Sequence, residues 1–213
     1  MIVIFDLDGT VWDSLPGIVG CLEHTFDTFG RTLPDRSVLT ANIGPPLPVM
    51  LGELGFPAEQ VDDATLVYRE RYVDWGVFQA TIYPGIVEVL TQLDGDGHRL
   101  ATATSKGEGP THQMLEHFEL SDRFEVIGAA SMHDKAAMTK PAVIAQALRG
   151  LGSPGPSECL MVGDRSYDVR GAAEHGLDCV GVLWGYGTED ELRDAGALHV
   201  VAEPSELLAI VQR

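Results

Sequence analysis

The sequence predicts an α/β protein, in which a doubly wound parallel sheet carries an inserted helical domain. Two patterns predict this fold class. Short apolar runs typical of buried strands recur along most of the chain, and longer stretches with helical apolar spacing lie between them. One long segment near the N-terminus has the helical spacing alone. Strands that alternate with helices form a parallel sheet with helices on both faces, because each helical crossover lets the next strand run in the same direction.

The first predicted strand is the apolar run 2–5, which is followed at once by Asp6, Asp8 and Gly9 in the stretch IVIFDLDGT. Successive side chains of an extended chain alternate, so Asp6 and Asp8 leave the strand end toward the same side. Two carboxylates so placed repel each other unless a cation joins them. This strand end is therefore the first candidate for a functional site.

The next segment, 15–79, is predicted to be a helical cap domain, whereas 1–14 and 80–213 form the α/β core. Its runs GIVGCLEHTFDTFG and DDATLVYRERYVDWGVF have helical apolar spacing, and no strand-like run separates them. The Pro84-Gly85 pair after it marks a turn into a helix of the core. The helices are therefore an insertion between the first strand and the rest of the sheet.

Four further apolar runs complete the predicted sheet, and each ends in small or polar residues. They are HRLATATS at 98–105, RFEVIGAA at 123–130, ECLMVGD at 158–164 and DCVGVLWG at 178–185. Open parallel sheets bind ligands beyond the carboxyl ends of their strands, so the polar residues near these ends are expected to meet at one site. Those residues are Asp6, Asp8, Thr104, Ser105, Lys106, Lys140, Asp164 and Asp168.

The residue types at these positions suit phosphoryl chemistry. Several carboxylates favour a hard divalent cation such as Mg²⁺, and a hydroxyl beside a lysine suits phosphate oxygens. A carboxylate near both can attack phosphorus to form an aspartyl-phosphate, while a second one protonates the leaving oxygen and later deprotonates water. Asp6 and Asp8 fit these two roles. Gly9 would let the backbone turn closely around the phosphate, and the amides after it, beginning at Thr10, would donate hydrogen bonds.

Four motifs, in the order DLDGT, ATATSK, TKP and VGDRSYD, resemble those of the haloacid dehalogenase superfamily. The resemblance covers essentially the whole chain, including the helical insertion after the first motif. It implies a Rossmann-like core, with Asp6 as the nucleophile and Asp8 as the general acid and base. It also implies that Thr104 is the phosphate-binding hydroxyl and that Lys140 stabilises the charge. An aspartate at position 8 favours phosphoryl transfer over dehalogenation, because a haloacid has no departing oxygen that needs a proton.

The same resemblance implies a magnesium site and a set of substrate contacts. The implied metal ligands are the Asp6 carboxylate, the Asp8 main-chain carbonyl and Asp164, with Asp168 as a further ligand or a partner of one. The predicted substrate contacts are Gly9, Thr10, Ser105 and, in the inserted helices, Arg69.

Longer stretches, among them DSLPGI, IGPPL, YRERY and GVLWGYGTEDEL, resemble the bacterial branch of phosphoglycolate phosphatase-like and 5′-nucleotidase-like members, with a helical cap of the C1 type. The resemblance implies a phosphoric monoester hydrolase that acts on a small phosphomonoester, such as a nucleoside 5′-monophosphate or phosphoglycolate. Two alternatives stay open. A sugar phosphomutase similar to β-phosphoglucomutase shares every motif, and a non-catalytic phosphate-binding module would regulate rather than catalyse.

Some of these positions allow a second interpretation. Lys135 lies near Lys140, and either could be a surface lysine. Lys140 is favoured because it opens a helix, where a cation is unfavourable unless an anion lies nearby. Asp168 could be only the first-turn acid of its helix, and Thr104 only a helix N-cap.

The inserted helices and the last loop hold further candidates for the substrate surface. Arg69 and Arg71 lie two residues apart on one predicted helix, so at most one of them faces a substrate. The segment 43–46 is a second candidate in the insertion. Tyr186, in the loop after the last predicted strand, is a candidate for the border of the pocket.

The composition argues against several classes of partner. A net charge of −18 and a pI near 4.5, without a basic stripe, argue against a nucleic-acid-binding surface. No stretch approaches the roughly 18 apolar residues of a membrane span. The three cysteines lack the paired short spacing of a zinc site or a disulfide scaffold. We therefore expect a cytoplasmic protein, monomeric or homodimeric, with a small molecule as its partner.

Overall fold

The computed structural model describes residues 1–131 and 138–212 of the chain. Its strands are, in chain order, β1 (Ile2–Phe5), β2 (Trp12–Asp13), β3 (Thr81–Ile82), β4 (Arg99–Gly107), β5 (Val126–Ala130), β6 (Cys159–Gly163), β7 (Asp178–Val182) and β8 (His199–Val201). Among the described residues, six strands form one sheet in the order β5-β4-β1-β6-β7-β8, and neighbouring strands are parallel. A separate sheet consists of β2 and β3.

Helices precede and follow the strands of the main sheet. They are, in chain order, α1 (Leu15–Thr28), α2 (Arg36–Ala41), α3 (Leu47–Glu53), α4 (Ala58–Asp74), α5 (Ile86–Gly95), α6 (Glu108–His117), α7 (Lys140–Gly150), α8 (Ser166–Glu174), α9 (Glu189–Ala195) and α10 (Glu206–Val211). The first four lie between β2 and β3, and the others alternate with the strands of the main sheet. The predicted fold class, a parallel α/β sheet with an inserted group of helices, is confirmed.

The main sheet differs from the prediction in two details. β8 has no counterpart among the predicted strands, because the three residues HVV are too few to show a strand period. β4 continues to Gly107, beyond the predicted run 98–105, and its pairing with β5 is irregular between Thr104 and Gly107. The carboxyl end of β4 is therefore longer than its apolar pattern indicates.

The central strand β1 determines where the site forms. All four of its residues are buried, with β4 on one side and β6 on the other. Phe5, its last residue, is level with Thr102 and Val162. Because β4 continues past this level, Thr104 lies close to the point where Asp6 leaves β1. The polar residues that follow these strands thus reach the same edge of the sheet.

The chain divides into two compact units, Met1–Asp13 with Ile82–Arg213, and Ser14–Thr81. In the first unit, the apolar faces of α7 and α8 pack on the sheet and share its buried core. The second unit has a core of its own, in which the rings of Phe26 and Phe56 meet edge to face with their centroids 4.9 Å apart. Each unit therefore buries apolar surface of its own.

Two smaller features concern the cysteines and the lengths of the helices. Cys21, Cys159 and Cys179 are free thiols, and all three are buried. Within 1–131 and 138–212, we find no helix that combines the length and the apolar character needed to cross a membrane.

Candidate active site

Three buried carboxylates meet at the carboxyl edge of the main sheet. Asp6 follows β1, Asp164 follows β6, and Asp168 lies in the first turn of α8. Each offers one carboxylate oxygen, and these oxygens lie within 4.8 Å of one another. Three of the predicted metal ligands are thus brought together.

Two loops hold the Asp164 carboxylate. The Tyr186 amide donates a hydrogen bond to its Oδ2 at 2.7 Å, and the Thr10 hydroxyl donates to its Oδ1 at 3.4 Å. Gly9 has a φ of +84°, and a Cβ at this position would overlap the Asp164 carboxylate. A Cβ at Gly185 would also overlap Asp164, together with the carbonyl oxygen of Gly9. Glycine at these two positions is what allows both loops to approach the acid.

Lys140 lies between two of the three acids. Its Nζ is 2.8 Å from Asp6 Oδ1 and 2.8 Å from Asp168 Oδ1, and it also donates a hydrogen bond to the carbonyl oxygen of Ala103 at 3.0 Å. The side chain is 5% exposed, so this lysine is not a surface residue. The alternative lysine, Lys135, lies outside the described residues.

Asp168 has two functions in the fold. Its Oδ2 accepts a hydrogen bond from the Arg165 amide at 3.0 Å, at the N-terminus of α8. Its Oδ1 faces Lys140 at 2.8 Å. The two interpretations of this residue, an acid of the first helical turn and a member of the site, therefore apply together.

The electrostatics of this group indicate a surplus of negative charge. Burial raises the pKa of Asp6 to about 7, against the opposing effect of Lys140 and with a contribution from Asp168. Burial also raises the pKa of Asp164, and Asp168 and Asp6 add to the rise. Burial alone would lower the pKa of Lys140, but the two neighbouring carboxylates outweigh it and raise the pKa. Three carboxylates face one ammonium group, and this donor set fits a hard divalent cation such as Mg²⁺.

Asp8 has different surroundings. The Trp12 indole donates a hydrogen bond from Nε1 to Asp8 Oδ1 at 2.8 Å, and Lys106 Nζ lies 3.0 Å from Asp8 Oδ2. In the described part of the chain, the three-carboxylate group does not include the Asp8 side chain. This agrees with a resemblance that assigns the metal to the Asp8 main-chain carbonyl, and it leaves the side chain for another task.

Residues 3–182 match the family of haloacid dehalogenase-like hydrolases. The chain belongs to this family.

Individual members of the family resemble most of the chain. The tyrosine-protein kinase PtkA of Mycobacterium tuberculosis is 42% identical over 189 residues, which are 89% of this chain but only 64% of that protein. A 5′-nucleotidase of Pseudomonas aeruginosa is 34% identical over 211 residues, 99% of this chain and 95% of that protein. A crystal structure described as a predicted phosphatase from Clostridium acetobutylicum has a TM-score of 0.93 and 36% identity, and the match covers 100% of this chain and 98% of that one.

These findings confirm two predictions made from the sequence, the haloacid dehalogenase-like family and its α/β core. The enzyme class, a hydrolase of phosphoric monoesters, stays a prediction. The roles of individual residues stay predictions. The structure shows where the remaining predicted site residues lie.

Thr104 and Ser105 lie at the carboxyl end of β4, as the motif ATATSK suggests. Thr104 is buried, and its hydroxyl oxygen accepts a hydrogen bond from the Lys106 amide at 3.2 Å. The N-cap of α6 is Gly107, so Thr104 is not an ordinary helix cap. A hydroxyl that accepts one hydrogen bond still has its own hydrogen to donate to a phosphate oxygen. Ser105 is half-buried.

The amides of Gly9 and Thr10, which were expected to donate to a phosphate, have partners within their own turn. The Gly9 amide donates to the Trp12 carbonyl at 2.9 Å, and the Thr10 amide donates to the Leu7 carbonyl at 3.1 Å. The Thr10 hydroxyl points to Asp164. A contact of these two residues with substrate therefore stays a prediction. For their amides to donate to a phosphate, the hydrogen bonds within this turn would have to break.

Arg69 and Arg71, the two arginines of the inserted helices, differ in their surroundings on α4. The guanidinium group of Arg71 lies over the Trp75 ring, 4.6 Å from its centroid. Arg69 is half-buried, and burial lowers its pKa. A substrate contact of Arg69 stays a prediction.

Sequence reasoning missed how the loop after β7 supports the site. The Trp184 indole donates a hydrogen bond to the Thr10 carbonyl at 2.9 Å, and the Tyr186 hydroxyl donates to Asp13 Oδ1 at 3.2 Å. Tyr186 was a candidate only for the pocket border, whereas its amide binds Asp164. The run GVLWGYGTEDEL carried the only signal, through its resemblance to the family. Lys106 was expected at this edge of the sheet without a role of its own, and the structure places it against Asp8.

Proposed function

We propose that this family member is a magnesium-dependent phosphatase that hydrolyses a small phosphomonoester through an aspartyl-phosphate on Asp6. The observation that carries the proposal is the contrast between two neighbouring carboxylates. Asp6 lies buried among the acids and Lys140, whereas Asp8 lies beside it with a separate set of donors. One carboxylate is thus suited to attack, and the other to proton transfer.

In the first step, a carboxylate oxygen of Asp6 attacks phosphorus, and the bond from phosphorus to the leaving oxygen breaks. A proton carried by Asp8 passes to that leaving oxygen, so an alcohol departs. In the second step, water gives a proton to Asp8 while its oxygen attacks phosphorus. Phosphate and the free Asp6 carboxylate result, and Asp8 again carries the proton.

The other residues of the site bind and hold the phosphoryl group in this scheme. Thr104 donates its hydroxyl hydrogen to a phosphoryl oxygen, and Lys140, through its short contact with Oδ1, opposes the rise that burial causes in the pKa of Asp6. The metal would be held by Asp6, Asp164 and Asp168, with the Asp8 carbonyl as the further ligand that the family resemblance implies. When bound, magnesium supplies positive charge that balances the carboxylates and the phosphoryl oxygens.

The substrate class is proposed to be a nucleoside 5′-monophosphate or phosphoglycolate. Support for the nucleotide comes from the Pseudomonas aeruginosa relative named 5′-nucleotidase, which the match covers almost completely. The kinase name of the mycobacterial relative adds less, because the chain spans 64% of that protein. A cap domain at 15–79, the role of Arg69, a cytoplasmic location, a monomeric or homodimeric state and the absence of a nucleic-acid partner stay predictions.

The test is phosphate release from a panel of phosphomonoesters, measured with magnesium and with a chelator. The panel contains nucleoside 5′-monophosphates, phosphoglycolate, hexose phosphates and O-phosphotyrosine. We expect metal-dependent release that is concentrated on one chemical group. Isomerisation of a hexose phosphate without phosphate release would favour the phosphomutase, and binding of phosphate without any turnover would favour the non-catalytic module.

A further inference from the structure

Lysine is scarce in this chain, and the two lysines that the structure describes lie at the site. The chain has 14 lysines and arginines, of which only three are lysines, at positions 106, 135 and 140. Both lysines within the described residues contact an aspartate of the DLDGT motif: Lys140 contacts Asp6, and Lys106 contacts Asp8. The role of Lys140 follows from the family resemblance, whereas the contact between Lys106 and Asp8 has no role in the scheme above.

The Asp8 carboxylate is held at both of its oxygens. Trp12 Nε1 donates to Oδ1 at 2.8 Å, and Lys106 Nζ lies 3.0 Å from Oδ2. The terminal torsion of an aspartate is normally broad, so a carboxylate with one partner can rotate. Two donors on different oxygens restrict that rotation. The Lys106 side chain is only 7% exposed, and this burial limits its own freedom as well.

The strand that carries Lys106 also carries the phosphate-binding hydroxyl. Thr104 and Lys106 are two residues apart in β4. The Lys106 amide donates to the Thr104 hydroxyl oxygen at 3.2 Å, and the pairing of β4 with β5 becomes irregular just after Thr104. The short segment 104–106 therefore holds both the Thr104 hydroxyl and the Lys106 ammonium group that contacts Asp8.

We propose that Lys106 is a positioning residue that, together with Trp12, orients the Asp8 carboxylate toward the leaving oxygen and then toward water. This inference rests on the proposed phosphatase function. Proton transfer in a transition state requires the donor at hydrogen-bond distance and in line with the reacting oxygen, so a carboxylate that rotates freely transfers the proton less often. Lys106 acts through Asp8 and does not itself contact the substrate.

The test compares Lys106→Met and Lys106→Arg with the wild type. Arg99→Met is the matched control, because Arg99 begins the same strand and forms an ion pair with Glu125, in which both side chains are more than 40% exposed. Each protein is assayed with the best alkyl phosphate of the panel and with p-nitrophenyl phosphate. The aryl leaving group departs without a proton, so the burst of nitrophenolate reports the attack of Asp6 without the help of Asp8.

For Lys106→Met we expect kcat on the alkyl phosphate to fall by about 10- to 100-fold, part of the roughly 10²- to 10⁴-fold that general acid–base catalysis supplies. KM should change less than about twofold. The nitrophenolate burst should keep nearly the wild-type rate and be followed by slow turnover. Lys106→Arg should recover part of kcat, since a guanidinium can also donate to the carboxylate. Arg99→Met should equal the wild type.

Three results would overturn the inference. A rise in KM with unchanged kcat would show that Lys106 binds the substrate directly. An equal loss of the burst rate and of alkyl turnover would show a general disturbance of the site. Full activity of Lys106→Met would show that Trp12 alone is sufficient.

Two further results distinguish a failure of this inference from a failure of the proposed function. If Lys106→Met does not fold, as thermal unfolding would reveal, Trp12→Phe removes the other donor and must show the same contrast between the two leaving groups. A wild type that releases no phosphate from any substrate overturns the proposed function, and the role of Lys106 with it.

Discussion

Asp6 and Asp8 leave the same strand end two residues apart, and their surroundings differ in charge. Asp6 shares Lys140 with Asp168 and lies close to Asp164, so its side of the site holds more carboxylates than ammonium groups. Asp8 pairs with Lys106 and accepts a hydrogen bond from the neutral Trp12 indole. A cation fits the first environment, whereas the second is balanced by the protein itself.

This difference shows how one short motif can supply two chemical roles. The side chains are identical, so the environment must distinguish the attacking group from the group that transfers protons. Each of the four predictions below changes one side of the comparison and leaves the other in place. They are ordered by the size of the expected effect.

Replacement of the nucleophile should have the largest effect. Asp6→Asn has nearly the same shape but cannot form the aspartyl-phosphate, so we expect turnover to fall by more than about 10⁴-fold. The fold should persist, because the change removes one of several buried like charges. Phosphate release and thermal unfolding measure the two effects. An active variant, or one that fails to fold, would contradict the assignment.

Replacement of the proton carrier should leave the first step possible. For Asp8→Asn we expect kcat on an alkyl phosphate to fall by about 10²- to 10⁴-fold. With p-nitrophenyl phosphate the variant should still attack phosphorus and then accumulate phosphorylated protein, which intact-protein mass spectrometry detects after acid quenching. Asp6→Asn is the matched control and should show no such adduct. Equal behaviour of the two variants would remove the proposed division of roles.

Magnesium should stabilise the folded protein by binding to the carboxylates around Asp6, without the Asp8 side chain. At a magnesium concentration 100 times its Kd, binding to the native state adds about 2.7 kcal/mol to the free energy of unfolding. We expect this gain in the wild type and in Asp8→Asn, and its loss in Asp164→Asn. Thermal unfolding with magnesium and with a chelator measures it. If the gain disappears in Asp8→Asn but persists in Asp164→Asn, the cation binds at the Asp8 side chain, and the prediction is contradicted.

The smallest effect, measured per pH unit, is a pH dependence of stability in the metal-free protein, at most about 1.4 kcal/mol for each unit. Burial raises the pKa of Asp6 to about 7 from its ordinary value of 3.8, so the folded state binds a proton that the unfolded state releases between these values. The contribution of Asp6 to stability is therefore complete below pH 4 and is lost as the pH rises toward 7. Denaturant unfolding in chelator, compared with Asp6→Asn, isolates it. An unchanged pH dependence in the variant would contradict this shift.

The sequence predicts the strand-end acids well because their positions follow from local rules. Alternation along an extended chain brings Asp6 and Asp8 to one side, and the edge of a parallel sheet gathers Asp164 and Thr104. The alternative role of Thr104 as a helix cap is eliminated only by the structure, in which Gly107 has that position. Local pattern thus identifies candidates, and the structure decides between their roles.

The supports of these acids could not be predicted in the same way. The hydrogen bond to Asp164 comes from the main-chain amide of Tyr186. Because every residue except proline has such an amide, the residue type gives no signal for this contact. Position 185 requires glycine because it lies against Asp164 and Gly9, which are distant from it in the sequence. Lys106 meets Asp8 through an extension of β4 beyond its apolar run. Each depends on the assembled sheet.

The three buried thiols provide a chemical reporter in each unit of the chain. Cys21 belongs to Ser14–Thr81, whereas Cys159 and Cys179 belong to the other unit. Burial raises the pKa of Cys179, so this thiol stays protonated and unreactive while the unit is folded. A pulse of a thiol-alkylating reagent, followed by peptide mapping, would therefore record which unit opens first. The order of labelling would also show whether the helical insertion unfolds independently of the sheet.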